Sequence, residues 1–269
     1  VNELNHNDRT HLKNQVFINI LAADNCDPSI CYKYFGCAPL ESKYGSTSID
    51  TMSVIDDQDN VLVNTNDCPF ELSFTAATTL KEKYSKIDML LVGYTSASAY
   101  PQCFTLSEAE KIREKERMQQ DFLKKAENYV NLFEPNYFMP FAGRYTLAGK
   151  LAPLNDYRGV TELDDAFSYF TNSKNIDVEK SKCIILNPGS IFDTETGQPS
   201  EPYKKIDKIQ KQQYIQNVLA KRKLDYESEQ EPEIDEIKSL IGKCYERFER
   251  KRKELRFSSE ATVLIKLSS

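Results

Sequence analysis

Between residues 51 and 187, short apolar runs alternate with longer amphipathic stretches, and this alternation limits the chain to few folds. Thr51-Met-Ser-Val-Ile and Val61-Leu-Val read as two strands, and the acidic, amide-rich joint Asp56-Asp-Gln-Asp-Asn reads as the turn of a hairpin. Phe70 to Ser85 has helical spacing. Ile87-Asp-Met-Leu-Leu-Val-Gly is nearly all apolar, as a strand covered on both faces would be. A long helix is expected from Leu106 to Phe133. Ser107 and Glu110 have capping-box spacing at its start, and Pro135 stops it. Met118, Phe122, Ala126, Tyr129, Val130 and Phe133 form its apolar stripe. Tyr137-Phe-Met-Pro-Phe is the next strand, Glu162 to Tyr169 a helix, and Cys183-Ile-Ile-Leu a strand closed by Asn187-Pro-Gly. Helices that follow strands in this order specify a layered α/β domain.

Upstream, Val16-Phe-Ile-Asn-Ile-Leu-Ala-Ala reads as a further strand, and Asp24 to Ser48 is rich in turn residues. Ser190 to Pro202 is polar, with a glycine and two prolines, and reads as a linker. Beyond it, Tyr203–Leu224 and Ile234–Leu255 have helical spacing and are crowded with Lys, Glu and Gln. Ile234, Ile237, Ile241, Cys244, Tyr245, Phe248 and Leu255 line one face of the second helix, a surface for a neighbouring domain, a partner protein or another copy. The expected organisation is an α/β domain over residues 1–193 and a charged, mainly helical extension over 194–269. That extension ends in the strand-like run Ala261-Thr-Val-Leu-Ile-Lys-Leu. A start at Val1 without Met, and an end on an unpaired strand, are read as the marks of a fragment.

Composition removes several classes of function. Net charge is −6, so a phosphate backbone is repelled overall and nucleic acid is not expected as a partner. The basic run from Lys243 to Lys253 is interleaved with acids and reads as a solvated helix face. No apolar run approaches the length of a membrane span. Seven cysteines, odd in number and irregular in spacing, indicate reduced thiols and a cytoplasmic protein rather than a disulfide framework. The two histidines are His6 and His11, so no His-x-His-x-Asp-His motif exists in the chain. Water-activating zinc sites usually take several imidazoles.

Three constellations remain as candidates for chemistry. The strand Leu62-Val-Asn-Thr-Asn-Asp-Cys ends in polar groups where open α/β sheets place ligands. Asp67 there either binds a cation or caps the next helix through an Asx turn. The loop Tyr94 to Phe104 is built of small residues that let backbone approach a ligand, or it is simply a tight connection. Ser96 and Ser98 in it have no histidine nearby to act as base. Cys26, Cys31, Cys37 and Cys68 form a candidate thiol cluster for zinc or iron, although the spacing also suits unlinked thiols.

Three stretches carry a resemblance: Leu62-Val-Asn-Thr-Asn-Asp-Cys, the small-residue loop reaching Tyr100-Pro-Gln-Cys-Phe, and Pro135-Asn-Tyr-Phe-Met-Pro-Phe-Ala-Gly-Arg-Tyr. In order and spacing they resemble the metallo-β-lactamase-fold region of CMP-N-acetylneuraminate hydroxylases and related bacterial metallo-hydrolases, over about residues 15–193. The resemblance implies the second half of an αββα sandwich, with the metal site between two similar halves. It implies that Asp67 is the acidic metal ligand and that Tyr94, Ser96, Ser98, Tyr100 and Phe141 line the substrate pocket. It places Ser46 where the family often has a histidine, and no histidine stands near Phe141–Gly143. The His-x-His-x-Asp-His half would precede Val1. Zinc or iron is therefore implied for a longer protein and is not expected to bind tightly to this chain.

Three functions follow. The first is a metal-dependent hydrolase-like protein acting on a small molecule. The second is a non-catalytic interaction module that kept the fold and docks partners through its C-terminal helices. The third is a thiol-metal protein.

Overall fold

The computed structural model describes residues 4, 7–22, 51–230 and 233–254. The chain divides into two compact units, Val1–Arg222 and Lys223–Ser269.

The first unit is built on a seven-stranded mixed sheet in strictly sequential order. β1 (Asp8–Lys13), β2 (Val16–Ala22), β3 (Thr51–Asp56) and β4 (Val61–Asn64) are antiparallel neighbours. β4, β5 (Met89–Gly93), β6 (Tyr137–Phe141) and β7 (Lys182–Cys183) run parallel. Each parallel step is bridged by a helix: α1 (Phe70–Lys83), α2 (Glu108–Phe133) and α3 (Leu163–Asn172). The expected α/β class is what the chain adopts.

The core lies between one sheet face and these helices. Register places Asn19, Val54, Val63, Leu90 and Phe138 side by side across five strands, and all five are fully buried. Ala76, Ala77 and Leu80 of α1, Ala126, Val130 and Phe133 of α2, and Phe170 of α3 pack into the same cluster. Phe138 meets Phe170 edge-on at 5.5 Å between ring centroids. The opposite face carries Ile18, Leu62, Leu91, Met139 and Phe141, all half-buried, with Ile55 exposed. A face so apolar is the kind that a second layer covers.

Local signals explain several boundaries. Ser107 and Glu110 form the expected capping box, and Glu134 ends α2 in the left-handed region, held by Lys180 at 2.9 Å. The buried side of α2 also includes Leu123 and Glu127, whereas Phe122 is only half-buried. Polar β1 was not expected from its sequence. It pairs along β2, and Arg9 adds a two-pronged contact to buried Asp56 on β3 (3.1 and 2.6 Å). β7 ends at Cys183 rather than Leu186, because the backbone turns toward Asn187, whose side chain bonds Pro202 O and Lys204 N. The expected linker contains a small hairpin, β8 (Phe192–Asp193) and β9 (Gln198–Pro199), whose turn is held by Asp193. The helix expected from Tyr203 shortens to α4 (Lys208–Asn217), started by Asp207 accepting from Ile209 N and Gln210 N.

The second unit contains α5 (Ile234–Glu254), which has no buried residue, so the C-terminal part is mainly helical. No helix among the described residues is long and apolar enough to cross a membrane. The expected final strand and Leu255 lie outside the described residues.

Candidate functional site

The parallel strands deliver their following loops to one edge of the sheet, and glycines let those loops touch. A Cβ on Gly93, at the end of β5, would stand 2.8 Å from the Asn66 carbonyl oxygen after β4. A Cβ on Gly143, after β6, would stand 2.6 Å from the Thr95 carbonyl oxygen, and its φ of +83° already favours glycine. The three stretches that were singled out in the sequence are therefore packed against one another.

After β4, asparagines rather than the aspartate build the turn. Asn66 N donates to Asn64 Oδ1 (2.9 Å), Asn64 Nδ2 donates to Asn66 Oδ1 (2.8 Å), and Asn66 Nδ2 reaches Thr51 O (2.5 Å). Asn66 adopts a left-handed φ of 46°, which Asn tolerates. Asp67 is left exposed at the tip of this turn, with no hydrogen bond or ion pair among the described residues. It does not cap α1, whose N-cap is Pro69 without a side-chain bond. That outcome removes the Asx-cap reading and leaves the carboxylate without a partner among the described residues.

Asp67, Cys68, Ser96, Ser98, Phe122 and Tyr129 share a cavity of about 350 Å³. Tyr129 is fully buried and donates to the Cys68 carbonyl (3.0 Å), tying α2 to the turn, and burial pushes its phenol pKa up. The serine hydroxyls are engaged as acceptors: Ser98 N donates to Ser96 Oγ (3.1 Å) and Tyr100 N to Ser98 Oγ (3.0 Å). These bonds order the loop, and none of the described residues lining the cavity carries an imidazole to act as base.

The remaining candidates lie elsewhere. Tyr94 points into the core at 1% exposure, where burial drives its pKa up. Tyr100 packs edge-on with Phe104 at 5.2 Å. Phe141 lines a separate cavity of about 530 Å³ with Arg144, Leu163, Ile185 and Tyr203. Cys26, Cys31, Cys37 and Ser46 lie outside the described residues, as does His6. Among the described residues, Cys103, Cys183 and Cys244 are free thiols, and Cys68 is buried. His11 is exposed beside Asn14 at the β1–β2 turn.

A charged cluster behind the loop after β6 was not anticipated. Glu162 accepts from Lys211 Nζ (2.6 Å) and Arg144 Nη2 (3.0 Å), and Arg158 Nη2 stands 3.8 Å away. Burial acts to raise the Glu162 pKa, but the Lys211 hydrogen bond and the three cations together hold it below the usual range. Burial pulls Arg158 down, only partly offset by Glu162. Only Arg158 and Glu162, four residues apart, are close in sequence; tertiary packing brings Arg144 and α4 to them.

A metal requires more donors than the described residues of this edge offer. Among the described residues, no three His, Cys, Asp or Glu side chains are grouped as a metal site. Asp67 by itself does not fit a tightly held ion.

No family model matches the chain, nor does any curated protein. Among solved structures, the CmlA beta-hydroxylase E377D mutant is similar over 52% of this chain and 25% of that one, at 14% identity and a TM-score of 0.33. The chain thus spans about a quarter of that structure's length, and so low a likeness assigns neither a site nor a reaction.

Proposed function

We propose that residues 1–193 are the later half of a metallo-β-lactamase-type sandwich, in a metal-dependent, hydrolase-like protein acting on a small molecule. The supporting observation is Asp67: an exposed carboxylate without a partner among the described residues, on a turn held by Asn64 and Asn66, at the C-terminal edge of the sheet beside a cavity. The half-buried apolar face of the sheet suits a second sheet layered upon it. Further metal ligands would come from outside the described residues, so no catalytic step is assigned to Asp67 here. Titration with Zn(II) and Fe(II), followed by elemental analysis after gel filtration, tests the assignment. Weak binding that disappears in Asp67→Ala is expected. Tight binding that survives Asp67→Ala overturns the ligand assignment. Absence of metal and of phosphodiesterase, amidase and lactonase activity in the intact protein overturns the hydrolase reading.

A second reading, a non-catalytic interaction module, is favoured by α5. Ile234, Ile241, Tyr245 and Phe248 are all exposed on it, an apolar stripe suited to a partner helix. Light scattering coupled to size exclusion tests it: a self-associated species, or a stable complex, is expected. A monomer with no copurifying partner counts against it.

A further inference from the structure

The cluster around Glu162 carries more positive charge than it balances internally. Arg144, Arg158 and Lys211 line a cavity of about 260 Å³ with Glu162, Tyr145 and Thr146, which leaves two positive charges in excess. The imbalance is local. In the adjoining larger cavity Asp165 is paired with Lys208 (3.2 Å), Asp164 accepts from Ile206 N (3.4 Å), and Asp156 acts on Arg158 by charge alone, without an ion pair to it.

Arg158 is the telling member. Its side chain is 8% exposed, and its one hydrogen bond among the described residues runs from Nε to the Asn155 carbonyl (3.1 Å). The Tyr145 ring lies 5.4 Å from its guanidinium carbon, and Glu162 at 3.8 Å is beyond hydrogen-bond length. Both Nη groups therefore lack a hydrogen-bond acceptor among the described residues. A guanidinium withdrawn from water with its fork unfilled is costly, and an oxyanion fills it in the geometry it is shaped for. Tyr94 and Thr161 each bury a hydroxyl oxygen with no partner among the described residues, while the Tyr203 hydroxyl faces Asp164. The charges of Arg144 and Glu162 reach both tyrosines.

We propose that Arg144, Arg158 and Lys211 form a binding site for a small oxyanion, a phosphate or carboxylate group, with Glu162 as the internal counter-ion that such a ligand displaces from Lys211. The cavity is several times the volume of a phosphate group, so the group is either free or the anionic end of a larger ligand. The site is independent of Asp67 and of any metal.

Calorimetric titration of the full chain with inorganic phosphate, sulfate and acetate, at ionic strength fixed with sodium chloride, tests this. Saturable phosphate binding is expected. Lys211→Met and Arg144→Gln should each weaken it about tenfold or more, the factor carried by one lost charge-assisted hydrogen bond. Glu162→Gln should tighten it, because the competing carboxylate is gone; a purely structural role for Glu162 predicts no gain. Lys238→Gln in α5 should leave it unchanged. Binding of phosphate and sulfate without acetate assigns a tetrahedral oxyanion, and binding of acetate assigns a carboxylate. If Glu162→Gln does not fold, the Lys211→Met and Arg144→Gln titrations decide. Heats no larger than those with chloride for all three anions, or affinity unchanged in both of these variants, overturn the proposal.

Discussion

Glu127 offers a quantitative test of how the helical layer is held. It is fully buried on α2, yet it is charged. Lys124 and Ser173 donate to its carboxylate, and Asn175 Nδ2 adds a bond of 3.2 Å, so one side chain fastens α2 to the turn after α3. Glu127→Gln keeps the shape and removes the charge. Hydrogen bonds to charged groups contribute roughly 1.5–3 kcal/mol each. Lys124 is half exposed and Asn175 is at the surface, so both donors rehydrate when released and the sum must be discounted. The expected cost is about 2 kcal/mol, a fall in Tm of about 4–8 °C for a unit of this size. The chain has no tryptophan, so unfolding is best followed by far-ultraviolet circular dichroism in urea. The pH dependence gives a second readout. Burial acts to raise the Glu127 pKa, but Lys124, Ser173 and Asn175 outweigh it and hold the pKa below the ordinary glutamate value. The advantage of the parent over Glu127→Gln is therefore full above the unfolded-state pKa and is lost as pH falls through the lower folded-state pKa. A variant within about 0.5 kcal/mol of the parent at neutral pH, or a gap that widens on acidification, refutes the reasoning.

Three further outcomes are expected. Phe138→Ala removes a fully buried ring that meets Phe170 edge-on, and should cost about 3–5 kcal/mol in urea unfolding, with the m-value unchanged. Gly143→Ala places a Cβ 2.6 Å from the Thr95 carbonyl oxygen at a φ of +83°, and should destabilise by about 1–3 kcal/mol; a neutral result in thermal melts would show that the loops after β5 and β6 are not tightly packed. Brief alkylation of the native protein followed by peptide mass mapping should label exposed Cys103 and Cys244 while sparing buried Cys68 and half-buried Cys183, whose thiol pKa is pushed up by desolvation, and rapid labelling of Cys183 would contradict its placement.

Much of the fold was legible because its signals are local. The hairpin of β3 and β4, the capping box at Ser107 and the stop at Pro135 each depend on residues within one turn or loop, and each appears where the pattern placed it. Polar β1 was illegible because its partner strand and the Arg9–Asp56 contact stabilise it, not its own composition. The expected helix from Tyr203 shortened for a related reason: its spacing permitted helix throughout, but a side-chain cap at Asp207 and side-chain contacts at Asn187 select where it begins. At the sheet edge, polar residue types marked the turn after β4 but not which of them would be consumed in building it. Asn64 and Asn66 took that part and freed Asp67. The resemblance placed Tyr94 in the pocket, and the alternation of β5 turns it into the core instead.

By itself, then, the sequence determined the alternating elements, their order and the polar edge after β4, since hydrophobic period and turn chemistry act over a few residues. Only tertiary structure decided which polar groups share a cavity. Glu162 meets Arg144, Arg158 and Lys211, and Glu127 meets Ser173 and Asn175, across 18 to 49 residues of chain in the longer-range pairs. Such meetings depend on how helices pack on the sheet, and no periodicity in a linear sequence encodes the distance between side chains on different elements.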